Sequence, residues 1–239
     1  MANITLNIDT CITSTKNGAL YNLPSVLDIR KITSTDDWNI PLISEFQTLA
    51  DYAGGLGNYE TNSIGGKLKE AGFEHWIEPN LGATNELNFN GRGAGTRTAG
   101  FSSILTHTYM WAQLEIAPGW GNAGSLDTAN SIFYCIDSTW FDARNGYSIR
   151  VVRLATESEL LLPDGVISAT YTGNNGKIYP TVKIGTQVWV SCNLKETQYR
   201  NGDYITGFDG GVYTPILDGD WATLTTEAMC YYENDVNNV

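Results

Sequence analysis

Glu78-Pro79-Asn80 is the stretch whose residue types point most directly to chemistry. It sets a carboxylate and an amide oxygen two positions apart, and oxygen donors of that kind suit a hard cation such as Ca²⁺. Asn85, further along the same polar stretch, joins them as a candidate ligand contact. A complete cation site needs more acidic or amide ligands, and none follows residue 80 in a suitable place. The preferred reading is therefore a loop stiffened by Pro79 and closed by Asn80, with no cofactor expected and Ca²⁺ kept as a possibility. A second set of candidates is aromatic. Tyr109, Trp111, Trp120 and Trp140 carry ring faces that suit the apolar face of a ligand and suit core packing equally well.

Covalent chemistry has little support. The cysteines are Cys11, Cys135, Cys192 and Cys230, no two of them at metal-ligand spacing, and His75 and His107 are isolated. Neither Cys135 nor Cys192 has a basic neighbour in a helix-start context that would activate it. There is no nucleophile elbow, P-loop or HExxH. A non-enzymatic protein with free, mostly buried thiols is expected. The chain has 14 basic against 26 acidic residues, a net charge of −12, which argues against nucleic acid as a partner. No apolar run approaches the roughly 18 residues of a membrane span. The first residues lack a charged segment followed by an apolar one, so a secretory leader is not expected.

The elements that must hold these groups are turn-rich and aromatic, with 25 glycines, 13 tyrosines and 7 tryptophans in 239 residues. Residues 177–194, KIYPTVKIGTQVWVSCNL, read as two strands about a Gly185-Thr186 turn. Ile43, Phe46, Leu49, Ala50 and Ala53 form one helical stripe that Gly54-Gly55 ends. A short helix is expected over residues 65–72, with Leu68 inward and Lys67, Lys69 and Glu70 solvated. Pro24 limits any helix in residues 19–32 to a short one after it. Residues 2–13 alternate weakly as a strand, 73–124 lose regular periodicity, and 131–141 and 147–154 read as strands. Residues 156–176 have the composition of a linker. Arg97 is expected to bond loop carbonyls, and Trp38 and Trp189 to pack inside.

Several phrases together resemble the Fibrobacter succinogenes major paralogous domain. Residues 177–194, with Trp221, Thr225 and CYYEND at 230–235, are similar to the family's opening half. NGALYN at 17–22, DWNIP at 37–41, the Glu45–Leu49 helix, GGKLKE at 65–70, WIEPNLGATN at 76–85, GTR at 95–97 and GYSIRVV at 146–152 are similar to the remainder. The order is rotated, because the opening phrases come last. Leu42 departs from the usual capping Thr or Ser, Cys192 from Glu, and Val151 from Cys. The resemblance implies an α+β, C-type-lectin-like fold of small antiparallel sheets, one or two short helices and long irregular loops, circularly permuted. In calcium-dependent C-type lectins an EPN tripeptide serves Ca²⁺ and sugar, although the family's own phrase lacks the Glu. The implied division is 1–16 as an attachment strand, 17–155 as the later part of the domain, 156–176 as linker, and 177–239 as the first part, completing the same fold or a neighbour's.

These readings converge on a non-enzymatic virion component of a bacteriophage, a tail, fibre or capsid decoration that displays a lectin-like domain to its host. Its expected partners are other virion subunits and a host-surface glycan or protein, with no nucleic acid and no membrane insertion, in a homo-oligomer. A bacterial cell-surface adhesion domain and a purely structural assembly subunit are the alternatives. The expected ligand contacts are Glu78, Asn80, Asn85, Tyr109, Trp111 and Trp120.

Overall fold

The computed structural model describes residues 17–137 and 140–238, so the strand expected over residues 2–13 lies outside the described residues. In chain order the elements are β1 (Leu20–Tyr21), α1 (Leu23–Leu27), α2 (Ile43–Tyr52), α3 (Gly65–Leu68), β2 (Ala94–Arg97), β3 (Phe101–Ile104) and β4 (His107–Ala117). They continue as β5 (Trp120–Asp127), β6 (Phe133–Tyr134), β7 (Phe141–Asp142), β8 (Val152–Leu154), β9 (Val166–Thr172), β10 (Ile178–Ile184) and β11 (Gln187–Val190). The last are β12 (Phe208–Asp209), β13 (Val212–Tyr213), α4 (Asp218–Trp221) and β14 (Met229–Cys230). The class is α+β, built from small, mostly antiparallel sheets and a few short helices. No helix among the described residues is long and apolar enough to cross a membrane.

The β10–β11 hairpin lies at the centre. Ile184↔Gln187 closes it and leaves Gly185-Thr186 as a two-residue turn. Gly185 has φ 59°, and a Cβ there would lie 2.1 Å from the Tyr52 ring, so backbone and packing both demand glycine. β8 pairs with β11 and β9 with β10, giving the order β8-β11-β10-β9. Both faces of the hairpin are covered. Val182, Ile184 and Trp189 join Phe46, Leu49 and Phe133 in one apolar cluster. Val188 and Val190 join Trp38, Ile149, Tyr171 and Tyr179 in another. Burial on both faces accounts for the continuous apolar run, where one-sided burial would alternate.

The α2 stripe packs as its period dictates, with Phe46 stacked on Trp189 at 5.4 Å. Leu42 has no side-chain acceptor to cap this helix, and the Glu45 carboxylate accepts the Leu42 N–H at 2.8 Å instead. The Gly55 N–H donates to Ala50 O at 2.8 Å and ends the helix. Pro24 sits inside the first turn of α1, where its missing N–H has no helical partner to lose.

The structure corrects several expectations. Residues 156–176 are not a bare linker: a 3₁₀ turn at Glu159–Leu161 precedes β9, which covers the free edge of β10. Residues 73–124 hold β2, β3 and the long β4–β5 hairpin. Its periodicity is hidden because β5 buries Gly121, Asn122, Ala123 and Gly124 in succession. A Cβ on Gly124 would sit 3.1 Å from Phe133, so close approach replaces apolar side chains there. Lys69 and Glu70 are not a solvated face. The Lys69 Nζ is buried and donates to Leu81 O, Asp127 O and Asn130 O at 3.0, 2.9 and 2.7 Å. Glu70 accepts from Arg92 and contacts His75 Nδ1 at 2.5 Å. The strand expected over 131–141 is reduced to β6 and β7, and the one over 147–154 forms a ladder only at β8. Tyr147 and Ser148 instead make single bridges to Tyr21 and Met110 on different elements. Cys192 is disulfide-bonded, while Cys135 and Cys230 are free and buried, with burial pushing both thiols up to about 12.

The C-terminal stretch pairs with the stretch that opens at residue 17. Leu20↔Cys230 and Tyr21↔Met229 pair β1 with β14, and the Asn17 N–H donates to Asn238 O at 3.4 Å. Arg97 crosses the same seam: its Nη2 reaches Asp218 Oδ1 at 3.1 Å, and the guanidinium lies 4.3 Å from the Trp221 ring centre.

Candidate functional site

The tip of the β4–β5 hairpin builds an exposed aromatic cleft. Pro118-Gly119 forms the turn, with Gly119 at φ 80°. Glu115 Oε1 accepts the Gly119 N–H at 2.8 Å and braces it. Trp120 follows as the first residue of β5, opposite Ala117 of β4 and Asp142 of β7. Pairing on both sides fixes its backbone, yet the residue stays 41% exposed. Trp140 is 57% exposed, its ring centre 6.4 Å from that of Trp120 at an interplanar angle of 47°. Beside this pair is a cleft of about 510 Å³, bounded by Pro24, Glu115, Trp120, Asp142, Arg144 and Thr225.

The walls come from distant parts of the chain. Arg144 forks onto Asp142, Nε to Oδ1 at 2.9 Å and Nη2 to Oδ2 at 2.5 Å, and its Nη1 donates to Ala222 O at 3.1 Å. That guanidinium holds the Asp142 carboxyl below its ordinary range. The Trp221 Nε1 donates to Arg144 O at 2.8 Å and locks α4 against the same turn. The cleft thus combines one flat apolar ring face, a neutralised Asp–Arg pair, the Glu115 carboxylate and the Thr225 hydroxyl. This is equipment for holding a ligand by stacking and hydrogen bonds.

The sequence candidates separate sharply. Trp111 is fully buried and donates from Nε1 to Tyr21 O at 2.7 Å, so it is a core residue and not a ligand platform. Tyr109 is half-buried, stacked on Tyr147 at 4.8 Å and against the edge of Phe141 at 5.4 Å, and it too belongs to the core. Asn80 is buried, and its Nδ2 donates to Glu70 O and Gly72 O at 3.0 and 2.8 Å. Asn85 pairs with Asn90, Nδ2 to Oδ1, at 2.6 Å. Glu78 is exposed on a cis Glu78-Pro79 bond. The Asn85 Oδ1 accepts the Asn90 N–H at 2.9 Å, whereas the Asn80 Oδ1 is buried without a hydrogen-bond partner among the described residues. Among the described residues no three His, Cys, Asp or Glu side chains are grouped to hold a metal. Trp38, Arg97 and Trp189 are interior residues. Of the named candidates, Trp120 joins the cleft. Glu115, Asp142, Arg144 and Thr225 were missed, and the one local signal for them is the Pro118-Gly119 turn before an exposed aromatic residue.

Comparison with known protein families supplies the remaining finding. The model of the Fibrobacter succinogenes major domain matches residues 3–153. The chain belongs to that family. No curated protein and no solved structure matches it. The Fibrobacter-domain match takes in residues 3–16, which the phrase-by-phrase resemblance left aside, and it stops before the β10–β11 hairpin. Glu115, Trp120, Asp142 and Arg144 therefore lie inside the matched domain, and Thr225 outside it.

Proposed function

We propose that this Fibrobacter-family protein is a non-enzymatic surface-recognition module with a C-type-lectin-like fold, displayed on a bacteriophage virion and directed at the host surface. The observation that carries the reading is the Trp120–Trp140 pair, two large rings left in solvent beside a cleft whose walls are braced by hydrogen bonds. Exposed aromatic surface on a rigid hairpin tip is a common mark of an interaction site. The rotated organisation is supported by the seam at which Asn17 meets Asn238, where the two halves of the rotated order lie together. A bacterial cell-surface carrier would use the same cleft. A purely structural subunit would cover it with a neighbouring protein.

The test is sedimentation of labelled protein with bacterial cells of many strains. Native protein is expected to bind a subset of strains, and Trp120→Ala to bind them at least about tenfold more weakly. A protein that binds no cells and instead buries Trp120 in an assembly would replace this reading with the structural one.

A further inference from the structure

We infer that the Trp120 cleft accepts an uncharged saccharide without help from a metal ion, with Trp120 as the stacking platform and Glu115 and Thr225 as hydrogen-bond partners. The inference rests on the recognition reading and names its ligand class. An indole face in solvent matches the C–H face of a pyranose ring. Trp140 is not part of the cleft wall, but its exposed ring lies 6.4 Å from that of Trp120, next to the platform. The cleft volume of about 510 Å³ is that of a small-ligand site.

The polar groups select among ligands. Glu115 Oε1 is engaged by the Gly119 N–H, and among the described residues its other oxygen takes no protein donor. That oxygen is positioned to accept from a sugar hydroxyl in a charge-assisted bond. The Thr225 hydroxyl, exposed and without a protein partner among the described residues, can donate or accept. Asp142 is neutralised by Arg144, so Glu115 is the uncompensated charge among the named cleft residues. Its sign, in a chain of net charge −12, disfavours uronic, sialic and phosphorylated glycans. A cationic peptide would gain from Glu115 but would meet Arg144, already forked onto the other carboxylate. A neutral ligand rich in hydroxyls satisfies all of these groups together. Glu78 and Asn80, the oxygen donors considered for a cation, do not border the cleft, so saccharide contact there is independent of that pair.

The experiment has two arms. The first measures native protein, Trp120→Ala, Glu115→Gln and Glu78→Ala on an array of neutral, acidic and amino oligosaccharides plus oligo-lysine, with EDTA present. Binding to neutral oligosaccharides is expected, reduced at least about tenfold in Trp120→Ala, a few-fold in Glu115→Gln, and unchanged in Glu78→Ala. Far-UV circular dichroism checks that each variant is folded. The second arm compares cells treated with periodate, which cleaves vicinal diols, with untreated cells of a strain that binds. Treatment is expected to abolish binding. Equal binding to treated cells, preference for oligo-lysine or acidic glycans, or loss of array binding in EDTA would each overturn the saccharide inference while leaving recognition itself standing. Absence of binding to any untreated cell would remove the recognition reading beneath it.

Discussion

Lys69 is a surface-type residue used as an internal strut. Its ammonium donates to three carbonyls, on Leu81, Asp127 and Asn130, and so ties the loop after Pro79 to the end of β5. Removing the ammonium leaves three partly buried carbonyls without this donor, and a buried unsatisfied polar group costs about 1–3 kcal/mol. Lys69→Met is therefore expected to lose about 3 kcal/mol or more of stability in urea unfolding at unchanged m value. A change under about 0.5 kcal/mol would mean that solvent reaches the carbonyls and replaces the lysine. Trp120 is the opposite case. The residue is 41% exposed, so its truncation is expected to leave the unfolding midpoint nearly unchanged while weakening ligand binding.

At the scale of elements, the β10–β11 turn and the β9 segment make separate predictions. Gly185→Ala places a Cβ at a positive φ and against Tyr52 of α2. The hairpin must shift or Tyr52 must leave, for an expected loss of about 2–4 kcal/mol in chemical denaturation. The 3₁₀ turn before β9 is tied to β8 by the forked Arg153–Glu159 pair, at 2.7 and 2.6 Å. The hydrogen bonds from Arg153 push the Glu159 carboxyl down to about 2 from an ordinary 4.5. The folded state holds this proton less tightly than the unfolded state, so the contribution to stability is complete above pH 4.5 and fades as pH falls toward 2. Glu159→Gln is expected to cost about 1 kcal/mol at neutral pH. The gap to native protein should close in urea titrations carried down to pH 2. A gap independent of pH would refute the ion pair as its source.

For the whole molecule the seam between the chain's two ends is decisive. Residues 177–238 supply the central hairpin and the partner of β1, so the preceding part has no complete core of its own. A chain ending at residue 176 is expected to give no cooperative unfolding transition. The rotated-order proposal makes a stronger demand. Joining the C-terminus to the N-terminus and reopening the chain at Glu157-Ser158 leaves every sheet pairing available. That variant should fold with native circular dichroism and a stability within about 2 kcal/mol of the native chain, because changing which loop is closed alters entropy only slowly. An insoluble or molten product would count against equivalence of the two orders.

The sequence by itself determined the elements whose information is local. The α2 stripe with its terminal glycines and the Gly185-Thr186 turn are legible because period and turn chemistry act within a few residues. The family is legible because its phrases survive in their spacing. Tertiary structure alone decided β5, where small residues permit close approach and leave no apolar pattern, and β9, whose ordinary linker composition becomes a strand only beside the free edge of β10. It also decided the cleft. Trp111 and Trp120 are alike as residues, yet pairing sends one beneath Tyr21 and leaves the other at the hairpin tip. Asp142, Arg144 and Thr225 join Trp120 only because the C-terminal stretch returns to β1 and anchors α4 on the Arg144 carbonyl. Such contacts between distant residues depend on the packed core, and no local pattern encodes them.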